Sequence, residues 1–212
     1  MIRLFRHILA DTSAVALTEF AVIAPVFLSL GMLGLDTANY VITHMRISQV
    51  ALQVADNAAR VGELDVLVAR KVYESDVNDV MTGAVHYASG LDIAANGRII
   101  LSSLERNAAG GQWIHWQRCF GAKAHPSTYG QAGDGATGTV FTGMGEPGDE
   151  ITASSGDAVM FVEVAYDYQS IAPFSAFDGE EIVYTGSFVV RDPRDLTGVH
   201  QKSVPAPVAS CA

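Results

Sequence analysis

Carboxylates and histidines are the side chains from which this chain could build a hydrolytic site. Glu163 and Asp167 alternate along one predicted strand, and Glu180 and Glu181 lie in a predicted turn with nothing to pair them, so we expect all four to be solvated. Nucleophilic catalysis needs a nucleophile beside a base, and no Gly-x-Ser-x-Gly motif is present. The six histidines are scattered, without the His-Glu-x-x-His spacing of a zinc enzyme. The sequence therefore predicts no catalytic residue, no cofactor and no small-molecule substrate.

The two cysteines, Cys119 and Cys211, are free to pair if the domain lies in an oxidising compartment. Closing a loop of that length would stabilise the fold by roughly 4 kcal/mol in the chain-entropy model and would fix the tail at 205–212. Two unrelated free thiols are the alternative. Cys119 with His115 and His125 offers three metal ligands, but neither the spacing nor a fourth ligand matches a structural zinc site, so we expect no metal.

Glu19 is the single full charge in an apolar run at 15–35, and Phe20 follows it. About twenty apolar residues are needed for a helix to cross a bilayer, so the run predicts a membrane anchor. A carboxylate at the bilayer centre costs about 2.5–3.5 kcal/mol, so such a residue usually has a partner and a function. No basic residue lies within one helical turn of Glu19. The alternative is that Glu19 lies at the headgroup boundary and is solvated.

Basic residues flank the apolar run unequally. Arg3, Arg6 and His7 precede it, and the first Lys or Arg after it is Arg46. Because cytoplasmic flanks carry the excess of basic residues, this asymmetry predicts a cytoplasmic N-terminus, with everything beyond Tyr40 outside the cytoplasm.

A secretory signal peptide is the competing interpretation of the N-terminal segment, since it also has a basic start and an apolar core. The run is long for a signal core, and no convincing small-x-small cleavage site comes before the helical pattern continues through 39–60. We therefore favour the membrane anchor.

Composition excludes one class of partner and indicates another. A formal charge of −10 and no concentrated basic patch argue against binding to nucleic acid. Only 17% of the residues are charged, which suits a domain that packs against partner subunits.

Two helices are predicted before the strands. Asp11, Thr12 and Ser13 are good N-cap residues for the first, which we expect to continue to Arg60 and to end before Gly62. Its spacing predicts a broad apolar stripe that could pack on its own domain or on a neighbouring helix. The stripe consists of Val41, Met45, Ser48, Leu52, Ala55 and Ala59, and the same face is widened by Ile47, Ala51, Val54 and Ala58. The second helix is predicted at 65–89, with these buried positions: Leu67, Val68, Val72, Val80, Met81, Ala84 and Tyr87.

Four strands are predicted from β-branched and aromatic residues, at 99–104, 112–118, 158–168 and 182–191. The third alternates, which predicts one wet face and one buried face. Between the second and third strands, the Gly-rich segment 130–156 is expected to be a mobile or partner-covered loop, with a short strand at 139–142. It lacks the spacing of a phosphate-binding loop.

These elements predict an α+β fold with a long N-terminal transmembrane and stem helix, a second helix and an antiparallel β-sheet domain outside the cytoplasm. The expected domains are a cytoplasmic leader at 1–14, a transmembrane helix at 15–36, a stem at 37–62 and the extracytoplasmic domain at 63–212.

The segment that begins at Ala14 and contains Glu19-Phe-Ala-Val-Ile-Ala-Pro25 resembles the start of TadE-like proteins, the minor pilin-like subunits of the tight-adherence pilus assembly system. The second half is also similar to longer members of that family. Its resemblance lies in Phe161-Val-Glu-Val-Ala-Tyr-Asp-Tyr168, in Tyr184-Thr-Gly-Ser-Phe-Val-Val-Arg-Asp192 and in Cys211.

The resemblance implies that a prepilin peptidase removes the leader by cutting ahead of four residues and a glutamate. On this chain that bond is Ala14–Val15, and Ala14 stands where the family usually has Gly. The new ammonium at Val15 would then pair with the Glu19 carboxylate of the next subunit and fix the axial register. Glu19 and Phe20 are the expected assembly residues.

Three functional hypotheses follow. The favoured one is a non-enzymatic, single-pass minor pilin of the bacterial inner membrane with a periplasmic domain. Its expected partners are the membrane, pilin and other pilus assembly subunits, and it could enter the pilus. The second is an uncleaved periplasmic adaptor or binding module. The third is an exported enzyme of unknown class.

Overall fold

The computed structural model describes residues 12–65 and 68–211. The chain divides into two compact units, one of Met1–Ile42 with Gln169–Asp178 and the other of Thr43–Tyr168 with Gly179–Ala212. The element order combines helices with an antiparallel sheet, so the predicted α+β class is confirmed.

Helix α1 is Thr12–Arg60, 49 residues with Pro25 inside. The predicted long N-terminal helix and its continuation to Arg60 are confirmed, whereas the predicted cap Asp11 lies outside the described residues. Gly62 follows the helix at φ 130°, and a Cβ there would lie 2.6 Å from the Arg70 side chain. The turn after α1 therefore requires glycine, because both its backbone conformation and its close contact exclude other residues.

The buried face of α1 in the second unit includes much of the predicted stripe. The residues of the helix in this unit that are at most 1% exposed are Ile47, Val50, Ala51, Val54, Ala55, Ala58 and Ala59. Met45 and Leu52, also in the predicted stripe, are 59% and 45% exposed, so the stripe packs on its own domain only in part. The backbone of Gly186 approaches α1 so closely that a Cβ there would lie 2.8 Å from the Ala51 carbonyl. The absence of a Cβ at Gly186 and the small side chain of Ala51 allow this close approach, whereas the larger Met45 and Leu52 remain exposed.

The predicted second helix begins later than expected. Strands β1 (Glu63–Asp65) and β2 (Val68–Lys71) form an antiparallel pair where the first part of that helix was predicted, and α2 is Glu74–Tyr87. Asp76 explains the start, since its carboxylate accepts a hydrogen bond from the N–H of Tyr73 at 3.1 Å. Four of the expected buried positions are confirmed: Val72, Val80, Met81 and Ala84. Tyr87 is 52% exposed, so that position was predicted wrongly. Leu67 and the side chain of Val68 lie outside the described part of the structure.

The main sheet has four antiparallel strands in the order β4-β3-β5-β6. After the short helix α3 (Ile93–Asn96), the strands are β3 (Gly97–Arg106), β4 (Gln112–Phe120), β5 (Val159–Asp167) and β6 (Glu181–Val189). All four strands predicted from the sequence are present.

Strand β5 is buried on both faces, which corrects the predicted wet face. Val162 is paired with Gly186, so the two share the face that meets α1. On the other face, Val159 and Phe161 pack with Met144 and Ala153 of the Gly-rich segment in one apolar core. The alternation of polar and apolar residues could not reveal this second cover.

The Gly-rich segment 130–156 is tied to the sheet by side-chain amides. Gln112 donates to the carbonyl of Ala153 and accepts from its N–H, at 3.1 and 2.7 Å. Asn107 donates to the carbonyls of Gly135 and Gly138, both at 2.7 Å. The segment is thus an anchored cover of the sheet rather than a loose loop. The strand predicted at 139–142 is absent from it, and its one described β-bridge joins Met144 to Ile151.

Candidate functional site

The apolar part of α1 exposes large side chains on every side. Leu17, Phe20 and Phe27 are 70%, 68% and 74% exposed, and the described residues contain one helix long and apolar enough to cross a membrane, within Val15–Arg60. A helix that is apolar all round needs an apolar environment, because so large an exposed patch is unfavourable in water.

The hydroxyl groups in this part of α1 bond to the helix itself. Thr18, Ser29 and Thr37 donate to the backbone carbonyls of Val15, Pro25 and Leu33, at 2.8, 2.7 and 2.8 Å. Internal pairing of this kind removes most of the cost of placing a hydroxyl in lipid.

Glu19 has no partner among the described residues. Its side chain is exposed, as is that of Phe20 beside it. Ala14 and Val15, the predicted cleavage residues, lie near the start of the described helix. Val15 and Glu19 are four residues apart and so lie on the same face of α1, one turn from each other. The arrangement leaves the carboxylate available to a group from outside the described residues.

Asp36 is a second acid on α1, and its surroundings are the opposite. It is 1% exposed, accepts a hydrogen bond from the N–H of Ile171 at 2.9 Å, and accepts another from the Ser175 hydroxyl. Nearby, the ring of Tyr40 stacks on that of Phe177 with centroids 4.5 Å apart. Sequence reasoning missed this anchor, although a carboxylate directly after the last apolar residue of the run was a usable signal.

Glu163, predicted to be solvated, is 1% exposed and fully bonded. It accepts from the Nε2 atom of His125 at 2.8 Å, from the hydroxyls of Thr128 and Ser127 at 2.8 and 3.2 Å, and from the N–H of Thr128. These bonds fasten the segment after β4 to the sheet. Ser127 donates to the carboxylate and not to the histidine, so the group lacks the nucleophile–base pair of a hydrolase.

Glu181 and Asp167 are the other acids that the structure brings to this region. Lys123 lies 2.9 Å from Glu181 and 2.6 Å from Asp167, and the Nδ1 atom of His125 lies 3.1 Å from Glu181. The hydrogen bond from Lys123 lowers the pKa of Glu181 below its ordinary value. Glu181 is therefore paired, against prediction, whereas Glu180 is exposed, as expected.

Two arginines of the second unit are also bonded within it. Arg118 forms a bidentate salt bridge with Glu74, which is 3% exposed. Arg194 donates to the carbonyls of Ala58 and Val61 at 3.0 and 2.8 Å and so caps the C-terminal end of α1. Burial lowers the pKa of Arg194 to about 10.

The two cysteines form a disulfide, with Cα atoms 4.8 Å apart. The tail before Cys211 also bonds to the rest of the second unit, since the N–H of Cys119 donates to the carbonyl of Ala209 at 2.8 Å and Asn78 donates to that of Pro207 at 2.9 Å. The disulfide thus holds the tail against β4.

The metal ligands considered from the sequence do not come together. Cys119 is in the disulfide, His125 bonds to Glu163, and His115 bonds to Glu105 at 2.9 Å. Within residues 12–65 and 68–211, no group of three or more His, Cys, Asp or Glu side chains is arranged to hold a metal ion.

Comparison with known proteins bears on the N-terminal part of the chain. Residues 14–56 match the family model of TadE-like proteins. This segment resembles TadE-like proteins. It includes the bare apolar part of α1, Glu19 and Asp36, and it indicates a protein associated with the Tad pilus. No curated protein sequence and no solved structure matches the chain.

The matched segment contains three acids of α1: Glu19, Asp36 and Asp56. Asp56 pairs with Arg60, and the other two have opposite surroundings. Asp36 is bonded within its own unit, whereas Glu19 is exposed on an apolar helix. The TadE-like family is associated with pili and not with catalysis, and the groups that could have formed an active site in the second unit are bonded to one another.

Proposed function

We propose that the protein is a non-enzymatic, membrane-anchored minor pilin that takes part in assembling the Tad pilus. The observation that carries this proposal is the apolar part of α1 at 15–35, whose large side chains are exposed and which includes one exposed acid, Glu19. This part lies in the segment that matches TadE-like proteins. The helix crosses the bacterial inner membrane once, with its N-terminus in the cytoplasm and the domain in the periplasm.

Two features support this orientation. Arg3 and Arg6 precede the apolar run, whereas the first basic residue after it is Arg46, and cytoplasmic flanks are the basic ones. The Cys119–Cys211 disulfide suits the oxidising periplasm better than the cytoplasm.

Glu19 sets the register of this subunit against its neighbours. An exposed carboxylate in an apolar helix is stabilised most by a cation, and a charge-assisted hydrogen bond contributes about 1.5–3 kcal/mol. The ammonium at Val15 of an adjacent processed subunit is such a cation. Pairing with it would join the subunits at a fixed axial offset while they leave the lipid.

Substitution of Glu19 tests this role. In cells that carry each variant in place of the native protein, Glu19→Ala and Glu19→Gln are expected to reduce the number of pili about tenfold, the effect of losing an interaction of this size. The protein in the membrane should stay at its normal level, because an apolar helix without the acid inserts at least as well. Glu19→Asp, the matched control that keeps the charge, should restore part of the assembly. Normal piliation with Glu19→Ala would exclude the register role.

Removal of the leader is a separate part of the proposal. A prepilin peptidase that cuts Ala14–Val15 would lower the intact mass of the membrane-bound protein by that of residues 1–14. Ala14→Gly restores the residue usual in the family and should be processed at least as completely. Full-length mass for both proteins would exclude processing and favour the uncleaved adaptor.

A further inference from the structure

The two edges of the main sheet are covered unequally. At the β4 edge, Ile114 donates to the carbonyl of Asp134 at 2.9 Å, Gly133 donates to that of Ile114 at 2.7 Å, and Cys119 donates to that of Ala209. The Gly-rich segment and the C-terminal tail therefore close this edge. At the β6 edge, none of the described residues outside the sheet bonds to the backbone between Ile182 and Val189.

Backbone groups along β6 alternate in direction. Val190 donates its N–H to the carbonyl of Ala158 at 2.9 Å, and hydrogen-bonded pairs recur at every second residue of an antiparallel ladder. The even-numbered residues of β6 therefore direct their N–H and C=O groups at β5. The odd-numbered residues direct theirs outward: Val183, Thr185, Ser187 and Val189.

Beyond its first residue, Glu181, strand β6 lacks the features that usually protect an edge from pairing. Natural proteins place charges, prolines or bulges on exposed edge strands. Between Ile182 and Val189 the sequence has no charged residue and no proline, and the register with β5 is continuous. Val183 and Val189 are 38% and 56% exposed. The edge is thus suited to accept another strand.

A groove with two different walls follows this edge. It has a volume of about 380 Å³, and Thr185, Gly186 and Ser187 of β6 line it. Leu52 belongs to α1, which packs on the Gly186 face of the sheet. The remaining lining residues lie on the side that the Gly-rich segment covers: Tyr129, Gly145, Glu146, Asp149, Ile151 and Phe161. Both carboxylates are exposed. A strand in this groove would therefore present one face to Leu52 and the other to a wall on which two carboxylates lie beside apolar and aromatic side chains.

We propose that the free edge of β6 binds an extended segment of another protein, with uncharged residues facing Leu52 and at least one Lys or Arg facing Glu146 and Asp149. Backbone hydrogen bonds to β6 provide affinity, and the two walls select the alternating pattern of side chains. This interaction is additional to the role of Glu19 in assembly.

A second copy of this chain is a poorer occupant than a basic segment. Two copies paired along β6 would be related by a two-fold axis through the sheet, which brings the same wall of both grooves together. Glu146 and Asp149 would then face their own counterparts, and like charges opposed in this way are repulsive.

Amide hydrogen exchange on the full-length protein in detergent tests the proposal. The probe is the peptide acetyl-Val-Lys-Val-Thr-Val-Lys-Val-amide, and the matched control peptide has Glu in place of both Lys residues. The Lys peptide should slow exchange at Val183, Thr185, Ser187 and Val189 about tenfold or more. The amides of Tyr184 and Phe188, already bonded to β5, should change little. The Glu peptide should have no effect at the same concentration.

Two variants separate the backbone and the charge contributions. Thr185→Pro removes an outward N–H that does not serve β5, and should abolish the effect, whereas Thr185→Val should keep it. The exchange of Tyr184 and Phe188 reports whether the proline variant remains folded. Combined Glu146→Gln and Asp149→Asn substitutions leave the strand unchanged and should remove the preference for the Lys peptide.

Three results would overturn the proposal. The first is the absence of protection at the outward amides with about 1 mM Lys peptide, a concentration at which even weak specific binding is visible. The second is equal protection by the Lys and Glu peptides. The third is unchanged protection in a folded Thr185→Pro protein.

Discussion

Glu19 on α1 and Glu163 on β5 are carboxylates in two regions of the molecule, and their surroundings are opposite. Glu163 is buried and accepts hydrogen bonds from His125, Ser127 and Thr128. Glu19 is exposed on an apolar helix, and no described residue pairs with it. A carboxylate whose bonds are all made within the chain serves the fold, whereas one left open on an apolar surface is available for a partner.

The same contrast holds for the regions around the two acids. In the second unit, Glu74 pairs with Arg118, Lys123 with Asp167 and Glu181, and Arg194 with carbonyls at the end of α1. The apolar part of α1 has large exposed side chains and polar groups bonded within the helix. The domain is thus held by its own contacts, whereas the apolar part of α1 exposes a surface suited to lipid or to other proteins.

The largest expected effect that separates the two regions is on stability. Glu163→Ala should lower the free energy of unfolding by about 3 kcal/mol, because it leaves buried donors of His125 and Thr128 without an acceptor. Chemical unfolding of the full-length protein in detergent measures this loss.

Two controls define that comparison. Glu180→Ala, at an exposed position, and Glu19→Gln, on the apolar helix, should each change the free energy of unfolding by less than about 0.5 kcal/mol. A loss for Glu19→Gln as large as that for Glu163→Ala would remove the distinction between the two acids.

The smaller expected effect concerns pH. Lys123 lowers the pKa of Glu181 in the folded protein below its ordinary value of about 4.5. The ionised carboxylate therefore stabilises the fold above that ordinary value, and the contribution is lost as the pH falls through the lowered folded value. In Glu181→Gln, the free energy of unfolding should fall less steeply below about pH 4.5. Glu180→Gln should keep the steeper native profile, and identical profiles for both variants would show that the Lys123 pair does not stabilise the fold.

Much of the architecture was predictable because it rests on periodic patterns. The apolar run and the helical spacing after it predicted α1, and segments rich in β-branched and aromatic residues predicted β3 to β6. The hairpin β1–β2 was missed because the valines and leucine between 66 and 72 also fit one face of a helix. The sequence could not predict which residues of α1 are buried, because their burial depends on the close approach of Gly186, which is distant in sequence.

The site was less predictable than the fold. Glu163 was expected in solvent because the alternation along β5 marks it as polar, and its cover comes from the aperiodic segment after β4. The Gly-rich segment 130–156 is held by side-chain hydrogen bonds from Asn107 and Gln112, and no sequence pattern near either residue predicts these bonds. Glu19, by contrast, was visible because a lone charge in an apolar run is costly wherever it is placed.

Alkaline carbonate extraction of membranes from cells that express the full-length protein tests the central claim most directly, namely that the bare part of α1 lies in a bilayer. The extraction strips peripheral proteins and leaves those that span the membrane. We predict that the protein stays in the membrane pellet. Recovery of the full-length chain in the soluble fraction would contradict this account.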